Sequence, residues 1–90
     1  MSVVIIYTSQ NCPYCIAAKK LLKALNADFT EINISADGGD THREEMIRVT
    51  GKRTVPQIII NNEPIGGFDD LSALHKSGAL VPMLDNKKES

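Results

Sequence analysis

The stretch Val3-Val4-Ile5-Ile6-Tyr7-Thr8-Ser9-Gln10-Asn11-Cys12-Pro13-Tyr14-Cys15-Ile16-Ala17 decides the fold. Its first five residues are an unbroken β-branched and aromatic run, the pattern of a strand buried on both faces. Thr8 to Asn11 is polar and turn-like. From Pro13 to Leu25 the period changes to that of a helix. Ile16, Ala17, Leu21 and Ala24 fall on one face, with Lys20 and Lys23 on another. Pro13 suits a first helical turn, where its missing N–H costs nothing. Cys12 therefore lies where a strand hands over to a helix, with Cys15 one turn further on.

Outward from this junction the pattern continues. Phe29-Thr30-Glu31-Ile32-Asn33-Ile34 alternates with period two and predicts a second strand. Ser35 to Asp40, with Gly38-Gly39, reads as a loop. Thr41-His42-Arg43-Glu44 has the spacing of a capping box, so a second helix is expected from Thr41 through Met46, Ile47 and Val49, stopped by Gly51. Gln57 to Ile60, Asn61-Asn62 and Glu63-Pro64-Ile65 predict a hairpin with a two-residue turn. Gly66-Gly67 leads into a last helix over about Asp69 to Lys76, ended by Gly78, and a polar tail follows from Asp85 to Ser90. The order is β-α-β-α-β-β-α. A β-α-β start calls for parallel first and second strands joined by a right-handed crossover. Residues 1–90 are read as one domain with a core of about 3–84, an α/β fold without repeats or linkers.

Composition narrows the function classes. Ten basic residues against eleven acidic give a net charge of −1, which offers neither nucleic acid nor an anionic membrane a basic surface. No signal-like segment or membrane-length apolar run is visible, so a soluble, cytoplasmic protein is expected. The two cysteines form Cys12-Pro13-Tyr14-Cys15. A secreted disulfide scaffold of this size carries more cysteines with longer loops. A structural zinc site needs four ligands, and neither His42 nor His75 stands at metal-ligand spacing, so no metal is expected. A redox pair or an inert buried pair remains. Of the two, a redox pair better fits a position after a strand with an intervening Pro-Tyr.

Four features in order carry a resemblance: a first strand ending in Tyr7-Thr8, Cys12-Pro13-Tyr14-Cys15 opening a helix, Thr54-Val55-Pro56 opening a strand, and Gly66-Gly67-Phe68-Asp69-Asp70 opening another helix. The series resembles the glutaredoxin family, dithiol type, over about Val3 to Leu84. The resemblance implies a thioredoxin-like fold, a four-stranded mixed sheet flanked by helices. It also implies glutathione as reductant and co-substrate, and a glutathione–disulfide oxidoreductase activity on glutathionylated or disulfide-containing proteins. Ribonucleotide reductase is among the partners it admits, and a monomer is expected.

At a helix N-terminus the free amides and the macrodipole favour a thiolate, so Cys12 is expected to ionise more readily than a free cysteine. A weaker nucleophile is also a better leaving group, so the helix end is expected mainly to help Cys12 depart. Cys12 is the expected nucleophile. Cys15, inside the helix beside Ile16, is expected to be more buried and suits the resolving role.

By resemblance, Tyr14 flanks bound glutathione. Thr54, Val55 and Pro56 contribute backbone, with the Val55–Pro56 bond cis and Val55 able to pair with an extended cysteinyl substrate. Residues alone would make Pro56 an ordinary strand-start proline. Amides near Phe68 and Asp69 suit the γ-glutamyl carboxylate and Asp69 or Asp70 its ammonium, although an Asp there also caps a helix. Lys52 and Arg53 are candidates for the glycine carboxylate. Many members carry a lysine two to four residues before the first cysteine, where this chain has Ser9-Gln10-Asn11. Arg43 and Arg48 are expected in solvent, Lys19, Lys20 and Lys23 on a solvated helix face, and His42 and His75 in surface roles. Phe68 is bulkier than the small residue of many members, which would narrow the pocket or shape partner contact.

Two rival readings share the cysteines. A [2Fe–2S] carrier would bridge two chains through Cys12 and glutathione, but in the family this goes typically with Gly or Ser in place of Pro13. A thioredoxin-type donor, serving ribonucleotide reductase and recharged by a flavoenzyme, would lack the glutathione groove.

Overall fold

The structure, a computed structural model, describes residues 3–36 and 38–84. The tail expected over 85–90 lies outside the described residues. The elements are β1 (Val4–Thr8), α1 (Pro13–Ala24), β2 (Thr30–Asn33), α2 (Gly39–Thr50), β3 (Gln57–Ile60), β4 (Glu63–Gly66), α3 (Phe68–Ser77) and α4 (Leu80–Leu84). The four strands form one mixed sheet in the order β2-β1-β3-β4. β1 runs parallel to β2 and antiparallel to β3, and β3 is antiparallel to β4. This is the expected thioredoxin-like arrangement.

Alternation in the two central strands divides the core. Val4 and Ile6 of β1 and Ile58 and Ile60 of β3 pack with Ala18 and Leu22 of α1, Leu71 of α3 and Leu80 of α4. On the opposite face Tyr7 and Ile59 pack with Met46 of α2, and Ile5, Ile32, Ile47 and Val55 surround them. Both faces are covered, which explains why these strands read as continuous apolar runs. The hairpin turn forms as expected: Asn61 and Asn62 take φ of 53° and 70°, as a tight two-residue turn requires. Pro64 is tolerated because β4 is an edge strand.

Four expectations need correction. Val3 precedes β1 and is 60% exposed, so the doubly covered strand starts at Val4. The buried stripe of α1 is Cys15, Ala18 and Leu22, while Ile16 is 52% exposed. Cys12 caps this helix and Cys15 turns inward, which rotates the apolar pattern from its apparent phase. α2 begins at Gly39 rather than at the Thr41 capping box. The Gly39 N–H donates to the Ala36 carbonyl at 2.8 Å, and a Cβ on Gly39 would collide with the Ile34 backbone. This tight turn starts the helix early. Finally, α4 adds a short element in which Leu80 closes the core.

Candidate functional site

β1 delivers the chain to one end of the sheet at Thr8. That corner is fastened from both sides, because Ile34 N–H donates to Thr8 O and Gln10 N–H to Ser35 Oγ, each at 2.8 Å. Asn11, with φ of 57°, reverses the chain, and Cys12 follows as the N-cap of α1. Cys12 carries its sulfur where an Asx or Ser cap carries oxygen: Sγ accepts the Cys15 N–H at 3.1 Å. One of the orphan donors of the first turn is thus aimed at sulfur. The Cys12 and Cys15 sulfurs are joined in a disulfide, with Cα atoms 5.2 Å apart. Cys15 is 2% exposed and Cys12 half-buried. The pair is a redox-active, disulfide-forming one, and the more accessible sulfur stands at the helix end.

β3 runs antiparallel to β1, with Tyr7 opposite Gln57, so the segment entering β3 passes beside the corner. The Val55–Pro56 bond is cis, and the Val55 carbonyl oxygen lies 3.9 Å from Cys12 Sγ. β4 returns to the same end and leads through Gly66, at φ of 122°, into α3. A side chain on Gly66 would collide with the Asp70 carboxylate. Asp70 Oδ2 accepts the Gly67 N–H at 3.1 Å, so Asp70 caps the helix. The capping alternative accounts for Asp70 and leaves Asp69 exposed and without that duty.

Between these segments runs a groove of about 280 Å³, lined by Tyr14, Lys52, Thr54, Val55, Pro56, Phe68, Asp69 and Asp70. Eight of the nine residues expected to hold glutathione line this groove. Arg53 does not, although it is exposed. Gly51, left-handed at φ of 75°, ends α2 and directs the chain so that Lys52 joins the groove. Its single cation and the acidic pair thus belong to different segments of the wall. Tyr14 and Phe68 stack across the two helix N-termini, ring centroids 6.2 Å apart and planes 26° apart.

Two lining residues were missed from sequence, Gly67 and Gln57. Gln57 is 3% exposed. Its Nε2 donates to Thr54 Oγ1 at 3.2 Å, and its Oε1 has no partner. A lone polar residue opening an isoleucine run was the available signal.

Away from the groove, one sequence expectation fails. Lys19 leaves the solvated face and pairs with Glu31 at 2.9 Å, while Lys20 and Lys23 stay exposed. Glu31 also accepts from the buried Thr8 hydroxyl at 2.7 Å, and these bonds, Lys19 first, hold its carboxyl below the usual range. The network ties α1 and β2 to the end of β1 behind the site. Arg43, Arg48 and His75 are exposed as expected, and His42, expected in a surface role, keeps its side chain 44% exposed with Nδ1 3.8 Å from Glu45 Oε1. Glu45 also accepts from Tyr7, whose phenol is pushed up chiefly by burial. Among the described residues no helix is long and apolar enough to cross a membrane, and no group of three or more His, Cys, Asp or Glu could hold a metal ion.

Comparison with known proteins gives a consistent result. The family model for glutaredoxin matches residues 4–65. The chain is 50% identical over 84 residues to Glutaredoxin 3 of Escherichia coli (strain K12), covering 93% of this chain and 99% of that protein. It is 48% identical over 84 residues to a glutaredoxin of Pseudomonas aeruginosa, covering 93% and 98%. Among solved structures, a buckwheat glutaredoxin–glutathione complex superposes with a TM-score of 0.85 at 34% identity, covering 92% of this chain and 76% of that one.

Proposed function

The chain belongs to the glutaredoxin family of thiol–disulfide oxidoreductases, and on that premise we propose that it reduces protein–glutathione mixed disulfides and protein disulfides at the expense of glutathione. Cys12 is the nucleophile and Cys15 the resolving thiol. The observation that carries this reading is the placing of Cys12 Sγ. It sits on an amide of the α1 N-terminus at 3.1 Å and 3.9 Å from the carbonyl of Val55, a residue that lines the groove together with Lys52 and the Asp69–Asp70 pair.

Glutathione is an extended tripeptide with a carboxylate at each end and one ammonium. Its cysteinyl backbone pairs with Val55 as a short added strand, which brings its sulfur to Cys12. The γ-glutamyl carboxylate takes the free amides opening α3, and Asp69 takes the ammonium, since Asp70 is engaged by Gly67. Lys52 takes the glycine carboxylate, with Arg53 outside the lining.

The Cys12 thiolate attacks the glutathione sulfur of a mixed disulfide. The S–S bond breaks, the protein leaves as a thiolate and takes a proton, and Cys12 is left glutathionylated. A second glutathione thiolate attacks that adduct, releasing oxidised glutathione and the Cys12 thiolate. On a protein disulfide, Cys12 forms the mixed disulfide and the buried Cys15, one turn away, displaces the substrate and closes the intramolecular disulfide. Two glutathiones then reopen it. The same reading makes the protein a cytoplasmic monomer.

The test is a coupled assay on a glutathionylated peptide, with either glutathione reductase or thioredoxin reductase closing the cycle. Turnover is expected with glutathione and its reductase. Cys12→Ser abolishes it and Cys15→Ser spares it. Recharging by thioredoxin reductase alone, or equal loss from both substitutions, refutes the reading.

A further inference from the structure

We propose that Phe68 is a positioning residue for Tyr14, holding its ring as a preformed wall of the groove. The inference rests on the groove being the glutathione site. Tyr14 is the second residue of α1 and is 63% exposed, so covalent geometry and packing within its own helix leave the ring free to choose among rotamers. Its ring contact is Phe68, at 6.2 Å and nearly parallel. Phe68 is held differently: it opens α3, is half-buried and packs against the apolar cluster that includes Leu71 and Leu80. One ring is anchored by the core, and it in turn fixes the other.

Centroids 6.2 Å apart lie within the range of interacting aromatic pairs, and the two rings together make one wall. Both line the groove. An exposed tyrosine that a ligand must first immobilise lowers affinity, whereas one already held by stacking does not carry that cost again. Removing the Phe68 ring is therefore expected to weaken capture of the glutathionyl group about threefold to tenfold, with little effect on the chemical step. The bulk of Phe68, which the family resemblance suggests would narrow the pocket or shape partner contact, here serves to order the groove.

Since Phe68 also packs on the core, the informative variant is Phe68→Leu, which keeps apolar volume and loses the ring face. Steady-state kinetics are measured with a glutathionylated peptide, beside the ring-proton shifts of Tyr14. Phe68→Leu is expected to lose the ring-current shift on Tyr14 and raise KM about threefold to tenfold, with kcat within about twofold. Phe68→Tyr restores both. Phe68→Leu combined with Tyr14→Ala is no worse in KM than Tyr14→Ala alone, because the two residues act as one unit. An unchanged KM in Phe68→Leu, or strictly additive effects of the two changes, overturns the inference while leaving the groove assignment intact. A wild-type protein that does not prefer the glutathionylated peptide over its cysteinylated counterpart overturns both.

Discussion

Replacing Cys15 by proline isolates the one backbone group that the structure aims at the Cys12 sulfur. The Cys15 N–H reaches Cys12 Sγ at 3.1 Å, while the first bond of the helix proper runs from Ile16 N–H to Cys12 O at 3.2 Å. Proline at position 15 thus deletes the donor to sulfur and no bond of the helical ladder, and its ring meets no helical carbonyl because the residue four before it, Asn11, precedes the helix. Cys15→Ser removes the same thiol and keeps the amide, so in either variant Cys12 is the chain's sole thiol and titrates alone.

A hydrogen bond to a charged group is worth about 1.5–3 kcal/mol, and each ~1.4 kcal/mol is a tenfold change in an equilibrium. Cys12 is half-buried, so water replaces part of what is lost, and the lower end of the range applies. The thiolate-to-thiol ratio at a given pH should fall roughly tenfold in Cys15→Pro relative to Cys15→Ser, moving the titration midpoint up by about one pH unit. The ultraviolet thiolate band followed against pH reads this directly, and thermal unfolding of both variants verifies that α1 still forms. Coincident titrations would show that the amide does not hold the charge. A Cys15→Ser protein titrating like free cysteine would remove the electrostatic basis for Cys12 as leaving group.

Two further outcomes concern the scaffold. Gly39→Ala adds a Cβ against the Ile34 backbone, so a gain of at most about 1 kcal/mol in helix propensity is outweighed by about 1–3 kcal/mol of overpacking; Tm should drop several degrees, and an unchanged or higher Tm would contradict the close approach. Glu31 is held below its ordinary 4.5 by Lys19 and then Thr8, so the folded state binds fewer protons than the unfolded one, and the stabilisation is complete above about pH 4.5 and lost as pH falls through the folded value. Unfolding free energies from denaturant titration of Glu31→Gln and wild type should differ by under about 1 kcal/mol near pH 7 and converge in acid, and a gap that widens on acidification would reverse the sign.

Much of this molecule was legible because its signals are local. The change of period at Cys12, the Asn61-Asn62 turn and the glycine stops at Gly51 and Gly78 each depend on neighbours within a few residues, and each lies where expected. Readings that failed depend on distant parts of the chain. Lys19 looks solvated until β2 brings Glu31 beside it. The early start of α2 follows from the Ile34 backbone beneath Gly39, and the phase of α1 from which way Cys15 must turn. Gln57 hides because its burial is decided by the loop carrying Thr54. For the site, the motifs came from family resemblance as much as from physics. Residue chemistry alone left Pro56 a strand-start proline and the two aspartates rival caps, of which only Asp70 turned out to cap.

Strand direction explains why motifs so far apart in sequence meet. β1 runs toward the site and ends at Thr8, so α1 must begin there with Cys12 as its cap. β3 is antiparallel to β1 and therefore starts at that same end, which puts Val55-Pro56 beside the sulfur. β4 is antiparallel to β3 and so finishes there, delivering Gly66-Gly67 and the N-terminus of α3. Two helix N-termini and one exposed strand entry thus share an edge as a consequence of topology, before any side chain is chosen. Both helix ends favour negative charge, one at the sulfur and one across the groove. A chain of net charge −1 has no global field with which to gather an anionic tripeptide. On the proposed function, these local dipoles and Lys52 supply the attraction, which places the burden of recognition on the geometry of the groove itself.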